Sequence, residues 1–279
     1  MPQPLDLLCR AKVNLTLHVG APLRAGRWTG YHPVDSLVVF ADIGDRLSLE
    51  PGHGSHHLSI EGPFSEGLTA RADNLVIQAL ERCGAPATHA TLDKRIPVSA
   101  GLGGGSANAA AVLRRFDPDG QVDAAALGAD VPVCRLSRTA RMSGIGEIVE
   151  PLPGLGRIPA LLVNPRVPVS TAEMFRRYDA VAPPETPRAT RSVGSLLERA
   201  KAGTNDLQET AIALAPVIAD VIDAVATQPG CTLSRMSGSG ASCFGLFDTM
   251  DRAREAAVAL SDTGWWVVHA WLGDGEAAP

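Results

Sequence analysis

No run of about 18 apolar residues occurs anywhere in this 279-residue chain. A membrane-spanning helix is therefore not expected. The opening Met1-Pro2-Gln3-Pro4-Leu5-Asp6 carries no basic stretch followed by an apolar one, so a cytoplasmic location is the expectation. A basic stripe is missing as well: the formal net charge is −5, which argues against a nucleic-acid partner and for a small-molecule one. The five cysteines, Cys9, Cys83, Cys134, Cys231 and Cys243, are scattered, without C-x-x-C spacing or clustered histidines. They suggest neither a zinc site nor a disulfide framework, and read as reduced, buried thiols. Internal repeats and low-complexity segments are lacking too.

The hydrophobic content of 45% is enough for a substantial core in one large or two average domains. From Val13 to Val19, apolar Val13, Leu15, Leu17 and Val19 alternate with Lys12, Asn14, Thr16 and His18, the period-two mark of a strand with one polar face. Ser36 to Phe40, Leu47 with Leu49, and Leu58 with Ile60 read as further strands separated by turns. Asp73-Asn74 offers a cap for a helix over 75–83, and Thr91 to Ile96 leads into a glycine-rich loop.

Past the dense punctuation around Pro151, a fresh strand is expected at Ala160 to Val163, which places a domain boundary near 153. Ser170 and Glu173 have capping-box spacing for a helix reaching about Tyr178, and helices are expected over 192–202 and 206–226. The chain then reads strand (231–236), Gly-Ser-Gly turn, strand (242–247), helix (250–261) and strand (264–271), a split β-α-β pattern.

The loop is Pro97, Val98, Ser99, Ala100, Gly101, Leu102, Gly103, Gly104, Gly105, Ser106 and Ala107. Glycines without Cβ atoms let the backbone curl and aim successive N–H groups at an anion. Here they precede Ser106, read as a capping serine, and an alanine-rich helix ending near Phe116, whose dipole adds to the attraction. A flexible turn is the plainer reading, but the cluster favours a triphosphate site. No Gly-Lys-Ser/Thr closes it as in a Walker A loop, and Ser106 stands where a Rossmann fingerprint has its third small residue.

The pattern Pro97-x-x-x-Gly101-Leu-Gly-Gly-Gly-Ser-Ala107 resembles the phosphate loop of the GHMP kinases. Ala11-Lys-Val-Asn-Leu-Thr-Leu17, Gly30-Tyr31-His32 with Asp35-Ser36-Leu37, and Leu127-Gly-Ala-Asp-Val-Pro132 resemble one branch of that family. Shorter matches at Asp73-Asn74-Leu75, Asp93-Lys94-Arg95, Gly144-x-Gly146-Glu147, Asn205-Asp206-Leu207 and Ser237 to Ser242 spread the likeness over almost the whole chain. That branch phosphorylates the 2-hydroxyl of 4-diphosphocytidyl-2-C-methyl-D-erythritol with ATP and Mg²⁺ in the non-mevalonate isoprenoid precursor pathway.

The resemblance implies an α+β fold. A ribosomal protein S5 domain 2-like nucleotide-binding domain would span 1–152 and a ferredoxin-like domain 153–279, with the site in the cleft between them, in a monomer or weak homodimer. It makes Asp130, on its own an ordinary helix N-cap before Pro132, the general base for the substrate hydroxyl. Lys12, otherwise a solvated lysine, becomes the cation that keeps this carboxylate ionised and offsets phosphoryl charge. Asn74 and Lys94 would lie near the adenine. Asn14, Tyr31 and His32 would contact the cytidyl substrate, and the Gly238, Ser239, Gly240 turn its phosphates. Mg²⁺ would ride on the phosphates without a protein carboxylate cage. Rival readings are another GHMP kinase, acting on homoserine, mevalonate or a sugar, and a catalytically silent nucleotide-binding regulator.

Overall fold

The computed structural model describes residues 5–154, 156–180, 186–187 and 194–274. The alternating segment begins earlier than its polar face suggests, with β1 running Leu5–Asn14; it breaks at Leu15 and resumes as the two-residue β2, His18–Val19. Both faces are buried. Ala11, Val13 and Leu15 pack with Leu37, Val39, Leu162 and Phe244 in one core cluster, while Lys12 and Asn14 point the other way. The period-two pattern thus separates two buried environments rather than core from solvent.

The runs read as separate strands at 36–40 and 47–49 form one 18-residue strand, β3, Val34–Pro51. Asp42, Gly44 and Asp45 look like turn residues in sequence. Asp45 instead stays in the strand, fully buried, because the amides of Arg95 and Ile96 and the Lys94 ammonium satisfy its carboxylate. β3 pairs antiparallel with β1, with β5 (Thr88–Asp93) and with β6 (Ala140–Gly144). β4 (His57–Glu61) runs parallel to β5, and β7 (Ile148–Pro151) completes a hairpin with β6.

Against this sheet pack α1 (Leu75–Arg82), capped by the Asn74 side chain on the Val76 amide, and α2 (Gly104–Phe116). The inner face of α2 is mostly small, Ala107, Ala109, Ala110 and Ala111 with Val112 and Leu113, all buried. Small residues let the helix sit close on β1. α3 is short, Val131–Leu136.

The later strands form a second group: β8 (Ile158–Asn164), β9 (Cys231–Met236), β10 (Cys243–Phe247) and β11 (Trp266–Leu272). Their order is β11-β8-β10-β9, all neighbours antiparallel. Helix α8 (Met250–Ala259) carries the chain from β10 over β8 to β11, the split β-α-β expected from sequence. Among the described residues, four helices lie between β8 and β9: α4 (Thr171–Asp179), α5 (Leu196–Ala202), α6 (Gln208–Leu214) and α7 (Val217–Ala226).

The single helix expected over 206–226 is therefore two, parted at Ala215-Pro216, where proline offers no amide to continue the ladder. The start of the helix expected at 192 falls outside the described residues. Its described part, α5, opens on a Ser195–Glu198 capping box. The two strand groups touch edge to edge at Leu272 and Ala41.

Candidate active site

The glycine loop reaches α2 through left-handed backbone at Gly101 (φ 72°) and Gly103 (φ 64°), which glycine adopts without strain. Gly103 caps α2 and no side chain does. Ser106 is not the cap: it sits inside the first turn, because the left-handed Gly103 has already started the helix. The orphan amides of that turn are therefore left for a ligand. The Lys12 amide donates to the Leu102 carbonyl at 2.9 Å, fixing the loop to β1. A Cβ at Gly103 would come within 3.2 Å of Lys12 Cβ.

The loop forms one wall of a cleft of about 400 Å³. Pro97, Val98, Ser99, Ala100, Gly101, Gly103, Gly104, Gly105 and Ser106 line it, while Leu102 and Ala107 turn into the core beneath. Asn74 and Lys94 line the same cleft, with the Lys94 Nζ 2.9 Å from where a Cβ on Gly104 would be. The Lys94 ammonium is buried and bound to Asp45 at 2.6 Å and to the Ile96 carbonyl at 2.9 Å. Sequence reading missed Asn108, one turn along α2: it lines this cleft, is 3% exposed, and its Oδ1 has no hydrogen-bond partner among the described residues. An asparagine inside an alanine-rich helix carries no sequence signal for such a role.

Lys12 and Asp130, 118 positions apart, meet at 2.7 Å between Nζ and Oδ2. The Lys12 side chain is 4% exposed and the carboxylate 31%. A lysine so buried costs several kcal/mol without a counter-charge, and Asp130 supplies it. Although Asp130 occupies the N-cap position of α3, its side chain makes no capping bond. The carboxylate is turned to Lys12 and to solvent-accessible space, not to its own helix.

A second cleft, about 260 Å³, opens on the other side of this pair and is lined by Lys12, Asn14, Leu17, Phe175, Leu207 and Gly238, among others. Ser106, Asp130, Thr171 and Ser239 line both clefts. Asn14 is 1% exposed; its Nδ2 donates to Ser36 Oγ and its Oδ1 has no partner among the described residues. Gly240 lies behind the turn, off both linings, with Met236 Sδ 2.7 Å from where its Cβ would be.

His32 and Tyr31 are also off the linings. His32 is buried, stacked on Phe175 with ring centroids 4.5 Å apart, and its Nδ1 is bonded to the Gly20 carbonyl at 2.8 Å. Tyr31 is 51% exposed and packs edge-on to Trp28. Thr29 lies beside it, its hydroxyl donating to the Gly26 carbonyl.

The thiols are chemically quiet. Burial, reinforced by Asp45, pushes Cys9 up to about 12. Burial also raises Cys134 and Cys243. Among the described residues no three His, Cys, Asp or Glu side chains cluster as a metal cage. None of the helices there is long and apolar enough to cross a membrane. What remains at the junction is an ion-paired carboxylate between an amide-lined cleft and a smaller one, an arrangement suited to transfer from a phosphorylated donor to a hydroxyl.

Known proteins resemble the chain over most of its length. The family model described as GHMP kinases N terminal domain matches residues 72–117, and that described as GHMP kinases C terminal matches 188–264. A 4-diphosphocytidyl-2-C-methyl-D-erythritol kinase of Paracoccus denitrificans is 47% identical over 94% of this chain and 94% of its own. Its namesake from Dinoroseobacter shibae is 44% identical over 95% and 94%. A crystal structure of 4-(cytidine 5'-diphospho)-2C-methyl-D-erythritol kinase superposes with a TM-score of 0.77 at 35% identity, covering 97% of this chain and 100% of that one. A homoserine kinase from Cytophaga hutchinsonii, at 15% identity and a TM-score of 0.66 over 99% and 96%, shares the fold. The chain belongs to the GHMP kinases, and within them to the family of 4-diphosphocytidyl-2-C-methyl-D-erythritol kinases.

Proposed function

We propose that this chain transfers the γ-phosphoryl group of ATP to the 2-hydroxyl of 4-diphosphocytidyl-2-C-methyl-D-erythritol, a step of the non-mevalonate isoprenoid route, in the cytoplasm. The observation that carries this reading is the Lys12–Asp130 pair at 2.7 Å, standing where the two clefts meet. The nucleotide lies in the larger cleft with its phosphates on the α2 amides, and the sugar alcohol lies in the smaller one.

Asp130 receives the hydroxyl proton as the oxygen attacks phosphorus. Lys12 orients that carboxylate and offsets negative charge on the transferring group. Asn14 offers its unpaired Oδ1 to an acceptor hydroxyl. His32, stacked on Phe175 of the cleft wall, marks the cytosine end, with exposed Tyr31 next to it in the chain as a further contact for the cytidyl group. We place the division between the two units at 152/153, which is supported by the strands up to Pro151 and those from Ile158 being joined in the sheet, among the described residues, only through the Leu272–Ala41 pairing of β11 with β3.

The hydroxyl of Ser106 and the Asp130 carboxylate are oxygen donors on both linings. They fit an ion held chiefly by phosphates and waters rather than by a protein cage. Mg²⁺ would supply charge screening of the phosphate oxygens there, and the Ser106 hydroxyl, with the Asp130 carboxylate beside it, would help hold it.

An ADP-release assay with ATP and Mg²⁺ tests the reading on a panel of acceptors. Turnover is expected with the cytidyl substrate and not with homoserine, mevalonate or galactose. Preference for one of the latter overturns the cytidyl assignment, and no turnover with any of them overturns the kinase reading.

A further inference from the structure

The Gly238-Ser239 turn, wall of the smaller cleft and in part of the larger, is held from behind chiefly by one side chain, with Gln208 Oε1 accepting the Met236 amide beside it at 3.1 Å. Asn205, 6% exposed, donates from Nδ2 to the carbonyls of Met236 and Gly238, both at 2.9 Å, and accepts the Leu207 amide on Oδ1 at 3.0 Å. All the hydrogen-bonding capacity of the carboxamide's two N–H groups is spent on that turn. No side chain of similar size reproduces it: aspartate has no donors, and leucine leaves two carbonyls unpaired.

Asn205 is itself fixed to the other half of the molecule. The Leu17 amide donates to the Thr204 carbonyl and the Asp206 amide to the Leu17 carbonyl, each at 2.8 Å. The Asp206 carboxylate takes the Val19 amide at 3.1 Å, the Thr204 hydroxyl at 2.8 Å, and lies 3.3 Å from His18 Nδ1. Residues 204–207 are thus clasped between the break after β1 and the turn after β9. Leu17 and Leu207 on either side line the same smaller cleft. On its far side the turn meets the phosphate loop: Ser237 Oγ donates to the Gly101 carbonyl at 3.0 Å, and a Cβ on Gly238 would lie 2.8 Å from that oxygen.

We propose that Asn205 is a positioning residue for phosphoryl transfer: it sets the Gly238-Ser239 turn against the acceptor, with Asp206 as the latch that ties this turn's support to His18 and Val19. This rests on the smaller cleft being the acceptor site. In Asn205→Ala the turn keeps its Ser237 contacts to the phosphate loop and the Gln208 bond to the Met236 amide, but loses the two donors behind its Met236 and Gly238 carbonyls. A misplacement of about 1 Å at a reacting centre costs on the order of 10²-fold. We expect kcat/KM for the cytidyl substrate to fall by about that factor, with its KM raised, while nucleotide Kd stays within about threefold. Asp206→Asn, which keeps size and an acceptor for the Val19 amide, moves the same quantities in the same direction, by about 3–10-fold.

The test pairs these kinetics with amide hydrogen exchange over residues 236–242 on the full chain. Faster exchange in that segment, together with a rise in acceptor KM, supports the proposal. A folded Asn205→Ala with unchanged exchange there, or with a lower active fraction but wild-type KM, overturns it. If Asn205→Ala does not fold, Asp206→Asn decides on the same two readouts. Should the cytidyl substrate not be the acceptor, wild-type turnover is absent while the exchange difference persists, so failure of the substrate reading and failure of the positioning role are told apart.

Discussion

Replacing Gly101 by alanine puts a methyl carbon where the second strand group already has backbone. The new Cβ would lie 2.2 Å from the Ser237 carbonyl oxygen and 3.0 Å from the Gly240 nitrogen. Ordinary contact begins at 3.4 Å, so loop and turn must part by 3.4 minus 2.2, roughly 1.2 Å. Neither atom belongs to a flexible side chain that can swing aside. The residue also keeps a positive φ of 72°, which costs a Cβ-bearing residue about 1–2 kcal/mol.

Parting strains or breaks the bonds from Ser237 Oγ to Gly101 and from the Ser242 amide to Ala100, at about 0.5–1.5 kcal/mol each. Together these cost about 2–5 kcal/mol, a fall of roughly 4–20 °C in Tm for a chain of this size. The same displacement opens the junction of the two clefts and lowers kcat by about 10²-fold. Differential scanning calorimetry and steady-state ADP release measure both. A variant with Tm within about 1 °C of wild type and unchanged kcat would refute the claim that loop and turn are packed backbone to backbone.

Gly103→Val is expected to weaken ATP and ADP more than the cytidyl substrate in calorimetry, by obstructing the α2 amides. Because its Cβ would press on Lys12 at 3.2 and 3.3 Å, kcat falls as well; unchanged nucleotide affinity contradicts the phosphate assignment. Thiol labelling at pH 8 should modify the half-buried Cys83 and Cys231 first and spare Cys9, Cys134 and Cys243. Burial raises all five thiols, so the order follows from exposure: Cys83 and Cys231 are only part-buried, whereas Cys9, pushed up to about 12, is only about 10⁻⁴ thiolate at that pH; rapid labelling of all five in the native state contradicts the burial. The uridine analogue of the substrate, with O4 in place of the N4 amino group, should lose at least ~10²-fold in kcat/KM, and His32→Ala should erase most of that discrimination; equal use of both analogues by the wild type sinks the cytosine assignment.

What could be read from sequence was local. The glycine loop, the Asn74 cap, the Ser170 start of α4 and the strand and helix pieces of the closing split β-α-β each depend on residues within one turn or one strand of each other. Long-range facts were out of reach. Nothing in the spacing joins Lys12 to Asp130, and only the family resemblance brought them together. Asp45 misled because an aspartate beside a glycine reads as a turn until its buried partners, Lys94 and the Arg95 and Ile96 amides, are known. Ser106 misled because the helix start was set by the left-handed Gly103 rather than by a hydroxyl. Asn108 carries no distinctive pattern, and Asn205 stood out only within the Asn205-Asp206-Leu207 match, without a role; the importance of both is a matter of which polar atoms lack or have partners in three dimensions.

The most direct test of the account is single-turnover phosphoryl transfer by Asp130→Asn, a change that keeps the shape of the side chain and removes its basicity. Nucleotide and cytidyl-substrate affinities should remain near wild type, measured by calorimetry on the same sample, while the rate of transfer falls by roughly 10²–10⁴. A folded Asp130→Asn that transfers phosphate at close to the wild-type rate would contradict the assignment of Asp130 as the base and, with it, the reading of the cleft junction as the place of transfer.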